Sequence, residues 1–189
     1  MKRVLPRNAN LIPDVAELKY KGVIFDVYQW EQKLYDGTSA TFEMLRRTDT
    51  VLVIAIDGDK LLCAHEKQPP NIVRQGLMGG RVDPGEDWEQ AAKREVLEES
   101  GLKFKNWRLV SVAQPVSKIE WFVPLFVAWD VESKINAEPG PGEIIEIEEL
   151  QFSDFRKLFA DKRINFLPDN IKSAGSIKEL TELSEYNGE

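Results

Sequence analysis

The stretch from Gly80 to Leu102, GRVDPGEDWEQAAKREVLEESGL, constrains this chain more than any other part of it. It sets three glutamates, Glu95, Glu98 and Glu99, at helical spacing, behind a Gly/Pro turn and ahead of a helix-stopping Gly101. Residues three and four apart on an α-helix are surface neighbours, so Glu98 and Glu99 lie on the side that Glu95 occupies. Like charges at that spacing cost a few tenths of a kcal/mol each, roughly, unless a cation or an arginine compensates. Mg²⁺ and Mn²⁺ favour carboxylate oxygens. Magnesium takes one or two carboxylates, keeps waters and completes its shell with substrate phosphates, which suits an open helix face better than a closed cage. The cluster therefore points to a phosphate-bearing substrate, with a solvated acidic helix face as the competing reading.

Read in full, the segment resembles the signature of the Nudix hydrolases, G-x5-E-x7-R-E-U-x-E-E-x-G-U, where U is aliphatic. Gly80 opens it, Glu86 follows, then Arg94, Glu95, Val96, Glu98, Glu99, Gly101 and Leu102, so every fixed position is filled. In that family the box is a loop, a helix and a loop that bind divalent cations and hydrolyse a nucleoside diphosphate linked to another group. The resemblance implies Mg²⁺, with Mn²⁺ as a substitute, held by Glu95 and Glu99. It makes Glu98 a further ligand or near partner, counted with the catalytic groups, and the Gly79 carbonyl a backbone ligand. Arg94 and Glu86 would brace the box by salt bridges, with Gly80 in support.

Composition narrows the class. At 189 residues and 42% hydrophobic, the chain can build a substantial core without looking membrane-like. No apolar run approaches the roughly 18 residues that span a bilayer. The N-terminal MKRVLPRNANLIPDV starts basic but lacks an apolar core and a cleavage site, so a cytoplasmic protein is expected. A formal charge of −7 argues against nucleic-acid binding, which relies on lysines and arginines neutralising phosphates. One cysteine and one histidine exclude an internal disulfide, a zinc set and a Cys/His catalytic pair. Cys63, inside KLLCA, reads as a buried small hydrophobe.

Gly22 to Leu34 reads as a strand rich in β-branched and aromatic residues. A turn at Tyr35-Asp36-Gly37 and a return strand from Thr38 to Arg46 follow. Val51 to Ile56 is a buried strand, Asp57-Gly58-Asp59 a turn, and LLCAHE its partner. A helix is expected over Trp88 to Ser100. Strands are expected over Trp107 to Gln114, Trp121 to Trp129 and EIIEIEELQF, and short helices over Asp154 to Asp161 and Ile177 to Glu185. Strands interspersed with few helices indicate an α+β fold. In Nudix terms this is an α/β/α sandwich, a mixed sheet between helices, preceded by an antiparallel hairpin. The expected division is a β-hairpin dimerisation element over 1–48 and a Nudix domain over 49–189.

The hairpin resembles the extra β-element of ADP-ribose and nucleoside-diphosphate-sugar pyrophosphatases, which builds a two-fold dimer and contributes to base binding across it. A homodimer is therefore expected, with Tyr28 and Trp30 as candidates to stack on a base and Arg47, at the arginine end of the return strand, among the substrate-binding residues. Simple packing of the hairpin is the alternative for the aromatics. The chain departs from that subfamily in three places. Relatives carry a phosphate-binding arginine before the proline pair where AHEKQPP has Gln68, beside Lys67. Their L-P-G-G is here Leu77-Met78-Gly79-Gly80, and their S-P-G is Gln114-Pro115-Val116-Ser117, with Glu120 near where relatives have a substrate-contacting glutamate.

Most such enzymes keep their general base outside the box, on a flexible loop before a late strand. Pro139-Gly140-Pro141-Gly142-Glu143 fits, and Glu143 is the expected base or an extra metal ligand. Glu146, Glu148 and Glu149 are alternatives, although Glu146 alternates with Ile145 and Ile147 and so should face solvent. The expected activity is metal-dependent hydrolysis of a nucleoside diphosphate sugar, ADP-ribose, GDP-mannose or similar, to a nucleoside monophosphate and a sugar phosphate. The alternatives are a Nudix enzyme acting on nucleoside triphosphates or dinucleoside polyphosphates, and a non-catalytic module that senses a nucleotide sugar.

Overall fold

Strand patterning of two kinds divides the chain. Runs apolar on both sides, such as Val51 to Ile56, belong inside a sheet covered on two faces, and alternating runs belong where one face meets solvent. The computed structural model describes residues 3–70, 72–160 and 167–189. Its first half contains β1 (Glu17–Lys21), β2 (Asp26–Lys33), β3 (Ser39–Arg46), β4 (Leu52–Asp57), β5 (Lys60–Gln68), β6 (Ile72–Gly76) and α1 (Trp88–Ser100). Its second half adds β7 (Leu102–Ala113), β8 (Ile119–Glu120), β9 (Val123–Lys134), β10 (Ile144–Leu150), α2 (Phe152–Ala160), α3 (Asp169–Ser173) and α4 (Ile177–Thr181).

A four-stranded sheet in the order β1-β2-β3-β8 carries the N-terminal hairpin. β2 and β3 pair in antiparallel register from Asp26↔Arg46 to Lys33↔Ser39, and the turn between them has Gly37 at a φ of 87°, as an Asp-Gly turn requires. β3 then meets β8 in parallel through Leu45↔Ile119, which joins the hairpin to the rest of the molecule.

The larger sheet is mixed, in the order β10-β5-β4-β9-β7, with β6 on β5. Along one edge of β5, Lys60 to Leu62 pair with β4, whereas Ala64 to Gln68 pair with β6. The sheet therefore forks between β4 and β6. After β6 the chain returns along β4, where Val53 N donates to the Met78 carbonyl and Val51 N to the Gly80 carbonyl, both at 2.9 Å.

Both faces of this sheet are covered. Val53 and Ala55 of β4 pack with Trp88, Ala91, Ala92 and Val96 of α1, while Ile54 and Ile56 point the other way towards Phe155, Ile171 and Leu180 of α2, α3 and α4. Each large side chain so buried contributes about 1.5–3 kcal/mol. The result is the expected α+β sandwich, with Cys63 fully buried and Glu146 exposed between half-buried Ile145 and Ile147. Among the described residues no helix is long and apolar enough to cross a membrane.

Several elements differ from the sequence expectation. Gly22 to Ile24 is not strand; the chain instead forms β1, whose residues are all exposed, and turns before β2. β6 and α3 were not anticipated, and both are short. β7 begins at Leu102 rather than Trp107 and β9 runs on to Lys134, because the two pair along most of their length with register shifts that absorb bulges. α4 ends at Thr181, short of Glu185, with Glu182 as its cap. Of the helix expected to end at Asp161, that last residue lies outside the described residues.

Candidate functional site

α1 has a boundary signal at each end. Asp87 accepts from Gln90 N and Gln90 Oε1 accepts from Asp87 N, both at 2.9 Å, a capping box. At the other end Gly101 adopts a left-handed φ of 72° and donates to the Leu97 carbonyl. With Ala91, Ala92 and Val96 against the sheet, the adjoining edge of the helix carries Glu95, Glu98 and Glu99 beside the Gly79-Gly80 turn. The turn has no room for side chains: a Cβ on Gly79 would overlap the Val51 carbonyl, and one on Gly80 would overlap the Glu95 carboxylate.

Arg94 supplies the compensating charge. Its Nε and Nη2 donate to the two oxygens of Glu86 at 2.9 and 3.0 Å, and Nη2 also reaches the Arg81 carbonyl at 2.8 Å. Its Nη1 donates to Glu95 at 2.9 Å and Glu98 at 3.1 Å. The Glu86 carboxyl is consequently held below the usual carboxylate range. Glu95 goes the other way, since burial outweighs its bond to Arg94.

Glu99 is the least satisfied of these groups. It is 9% exposed; Oε1 accepts a long bond from Gly79 N at 3.5 Å, and Oε2 is buried without a hydrogen-bond partner. Burial, followed by the charge of Glu95, pushes its carboxyl up to about 9. A buried orphan oxygen beside a second carboxylate is the donor set a hard divalent cation satisfies. Among the described residues no group of three His, Cys, Asp or Glu side chains is placed to hold a metal ion by itself.

These groups open into a cleft of about 1300 Å³ at the fork of the larger sheet. Of the residues singled out in the sequence, Glu95, Glu98, Glu99, Gly79, Gly80 and Arg94 line it together with Arg47, Gln68 and Glu143. Arg47 is fixed there by its guanidinium lying 4.7 Å from the Trp121 ring centre and 5.6 Å from that of Phe25. Gln68 Nε2 donates to Glu143 Oε1 at 2.6 Å and also to Glu66.

Other candidates sit elsewhere in the chain. Lys67 is exposed and, by strand alternation, points away from the side shared by Glu66 and Gln68. Glu120 is 9% exposed and faces the N-terminal sheet, accepting from Ile12 N at 2.7 Å and Arg46 Nε at 2.9 Å. Tyr28 lies under Arg46, its hydroxyl accepting at 3.1 Å, and Trp30 packs on Phe42 with ring centres 6.0 Å apart.

Sequence reasoning missed Glu66, Arg74 and Arg81, which also line the cleft. Burial raises the Glu66 carboxyl, partly offset by Arg74. Its period-two relation to Gln68 was the only available signal, and it needed the fork of the sheet to become meaningful.

A family model described as the NUDIX domain matches residues 46–169. The NAD-capped RNA hydrolases NudC of Escherichia coli O1:K1 / APEC and of Escherichia coli strain SMS-3-5 / SECEC are each 32% identical over 104 residues, which cover 55% of this chain and 38% of the relative. The match thus spans well under half the length of those relatives. A crystal structure of an ADP compounds hydrolase superposes with a TM-score of 0.66 at 22% identity, covering 79% of this chain and 83% of that one. With the box filled at every fixed position and the fold in agreement, the chain belongs to the NUDIX family, whose hydrolases share this architecture.

Proposed function

We propose that the chain hydrolyses the pyrophosphate bond of a nucleoside diphosphate sugar, ADP-ribose, GDP-mannose or similar, to a nucleoside monophosphate and a sugar phosphate. One cleft carries this reading: it joins the buried, unpartnered Glu99 oxygen to a set of arginines, Arg47, Arg74 and Arg81, suited to a diphosphate. Glu95, Glu98, Glu99 and the Gly79 carbonyl would hold Mg²⁺, or Mn²⁺ in its place. Such a cation supplies positive charge against the diphosphate oxygens and the leaving phosphate. Arg94 keeps Glu95 and Glu98 in position, and Glu143 accepts the proton of the attacking water. Arg47 meets the substrate within one chain. Tyr28 and Trp30 serve the base across the two-fold interface of a cytoplasmic homodimer built by residues 1–48, with Glu120 and Lys67 further from the reaction.

The test is a panel of nucleotide sugars, ADP-ribose, NAD and nucleoside triphosphates, assayed with Mg²⁺ in ¹⁸O-labelled water and read by product mass. NAD belongs in it because of the NudC relatives. The expected result is a nucleoside monophosphate plus a sugar phosphate, one of them labelled. Inorganic pyrophosphate released from a triphosphate would replace this reading with a triphosphate pyrophosphatase, and saturable binding without turnover would replace it with a sensing module.

A further inference from the structure

The register of β5 and β10 places two cleft residues opposite one another. Ile144 pairs with Lys67 and Ile145 with Glu66, so Glu143 stands one step beyond the paired end of β10, across from Gln68. Strand alternation then puts Glu66, Gln68, Glu143 and Ile145 on one face of the sheet, the face on which Ile145 and Ile147 pack with α1. On that face the Gln68 amide nitrogen donates to Glu143 at 2.6 Å and to Glu66. An amide nitrogen has two hydrogens, and two acceptor carboxylates use both, which also fixes the amide orientation. The backbone leading to Glu143 is two Pro-Gly pairs, with Gly142 at a φ of 92°, and its turn is closed by a bond from Glu143 N to the Gly140 carbonyl at 3.1 Å. Among the described residues, this turn and the Gln68 amide supply the hydrogen bonds that direct the carboxylate.

We propose that Gln68 is a positioning residue that clips Glu143 to Glu66 and so aims Glu143 at the reacting water. This rests on Glu143 being the base, as proposed above. Gln68 then acts through Glu143 rather than by holding substrate phosphate, the role its place in the sequence suggested. Glu66 serves as the fixed end of the clip, because it lies within the β5–β10–β6 pairing while Glu143 lies outside it.

Two measurements decide the matter. Hydrogen exchange over residues 139–144, in the protein without Mg²⁺ or substrate, should speed several-fold in Gln68→Ala and in Glu66→Ala. Unchanged exchange in both variants would overturn the clip whatever the identity of the base. In steady-state kinetics Gln68→Ala should lower kcat about 10- to 100-fold with KM nearly unchanged, as expected when a reacting group is misplaced. It should add little to the loss already caused by Glu143→Gln, since residues acting as one unit are non-additive. A raised KM with kcat preserved, and losses that add to those of Glu143→Gln, would assign Gln68 to substrate binding and overturn the proposal. If Glu143→Gln alone leaves the rate intact, the base assignment and the catalytic role of the clip both fail, and faster exchange would still record the physical contact.

Discussion

Arg94 grips Glu86 through two parallel hydrogen bonds, Nε to Oε1 at 2.9 Å and Nη2 to Oε2 at 3.0 Å, and so spans from the loop that opens the box to the helix that carries its glutamates. A forked pair of this kind depends on guanidinium geometry as well as charge. Arg94→Lys should therefore keep the positive charge yet loosen Glu95 and Glu98. The expected outcome is a fold intact by circular dichroism, stability lower by about 1–3 kcal/mol, and turnover down at least about tenfold.

The same pair gives the protein an acid-sensitive contribution. Hydrogen bonding from Arg94 holds the folded-state carboxyl of Glu86 below its usual value. A depressed carboxyl stabilises the fold at pH values above the ordinary glutamate value near about 4.3 and ceases to do so as pH falls through the folded-state value. Glu86→Gln should consequently be less stable than wild type at pH 7, by about 1 kcal/mol. Urea melts at pH 7 and pH 3 should show that gap closing; a gap that persists at pH 3 would contradict the mechanism.

Glu99 differs because its burial carries a cost that a cation held as proposed would remove. With its carboxyl pushed up to about 9, the metal-free protein holds it as a neutral acid at pH 7, and Glu99→Gln is close to isosteric with that form. Without Mg²⁺ the substitution should stabilise the protein at pH 7, because the wild-type carboxyl, ionised in the unfolded chain, must take up a proton on folding and the amide need not; the gain should shrink as pH falls towards the ordinary glutamate value. Millimolar Mg²⁺ should raise the melting temperature of wild type but not of the variant, since ligand stabilisation follows binding to the folded state. Turnover should fall by at least about a hundredfold.

Gly80→Ala tests the close approach of the turn to the helix. The added methyl would collide with the Glu95 carboxylate, a flexible group that can move aside. The fold should survive, with a stability loss of about 1–2 kcal/mol, while kcat/KM drops more than about tenfold. Wild-type kinetics in this variant would remove Glu95 from the site.

The proposed dimer can be tested on β1, an edge strand that exposes Leu18 at 47% and Tyr20 at 65%. The outer edge of β1 leaves backbone groups free to pair with a second copy, and Leu18 and Tyr20 supply its apolar side chains. Wild type is expected to sediment as a dimer, and Leu18→Glu combined with Tyr20→Glu to sediment as a monomer, in sedimentation velocity. A wild-type protein that sediments as a monomer would remove the dimer itself.

α1 was fully legible, from Trp88 to Ser100, because the Asp87 cap, the run of core-facing alanines and Gly101 all lie within the segment they define. β4, its Asp-Gly turn and β5 were legible for the same local reason. β1 was not, since all its residues are exposed and its pattern has no buried face to announce it. β6 follows a proline pair, and it exists only because β5 exchanges one partner for another along a single edge. That exchange is a tertiary event, which is why Glu66 and Arg74 escaped notice while Glu95 and Glu99, on one helix, did not. Glu120 shows the converse case, a residue placed by sequence position near substrate whose two oxygens are taken by Ile12 and Arg46.

The fork on β5 separates two kinds of heredity in this molecule. Everything on the α1 side, the box and its Gly79-Gly80 turn, is tied to the interior and tolerates little revision. β6 joins the sheet through the other half of the same edge of β5, so an exposed side chain there, such as Arg74, can be exchanged without touching the packing of α1 on the sheet. A descendant of this chain could exchange side chains along β6 while keeping the pairing that seats Glu66 and every residue of the box.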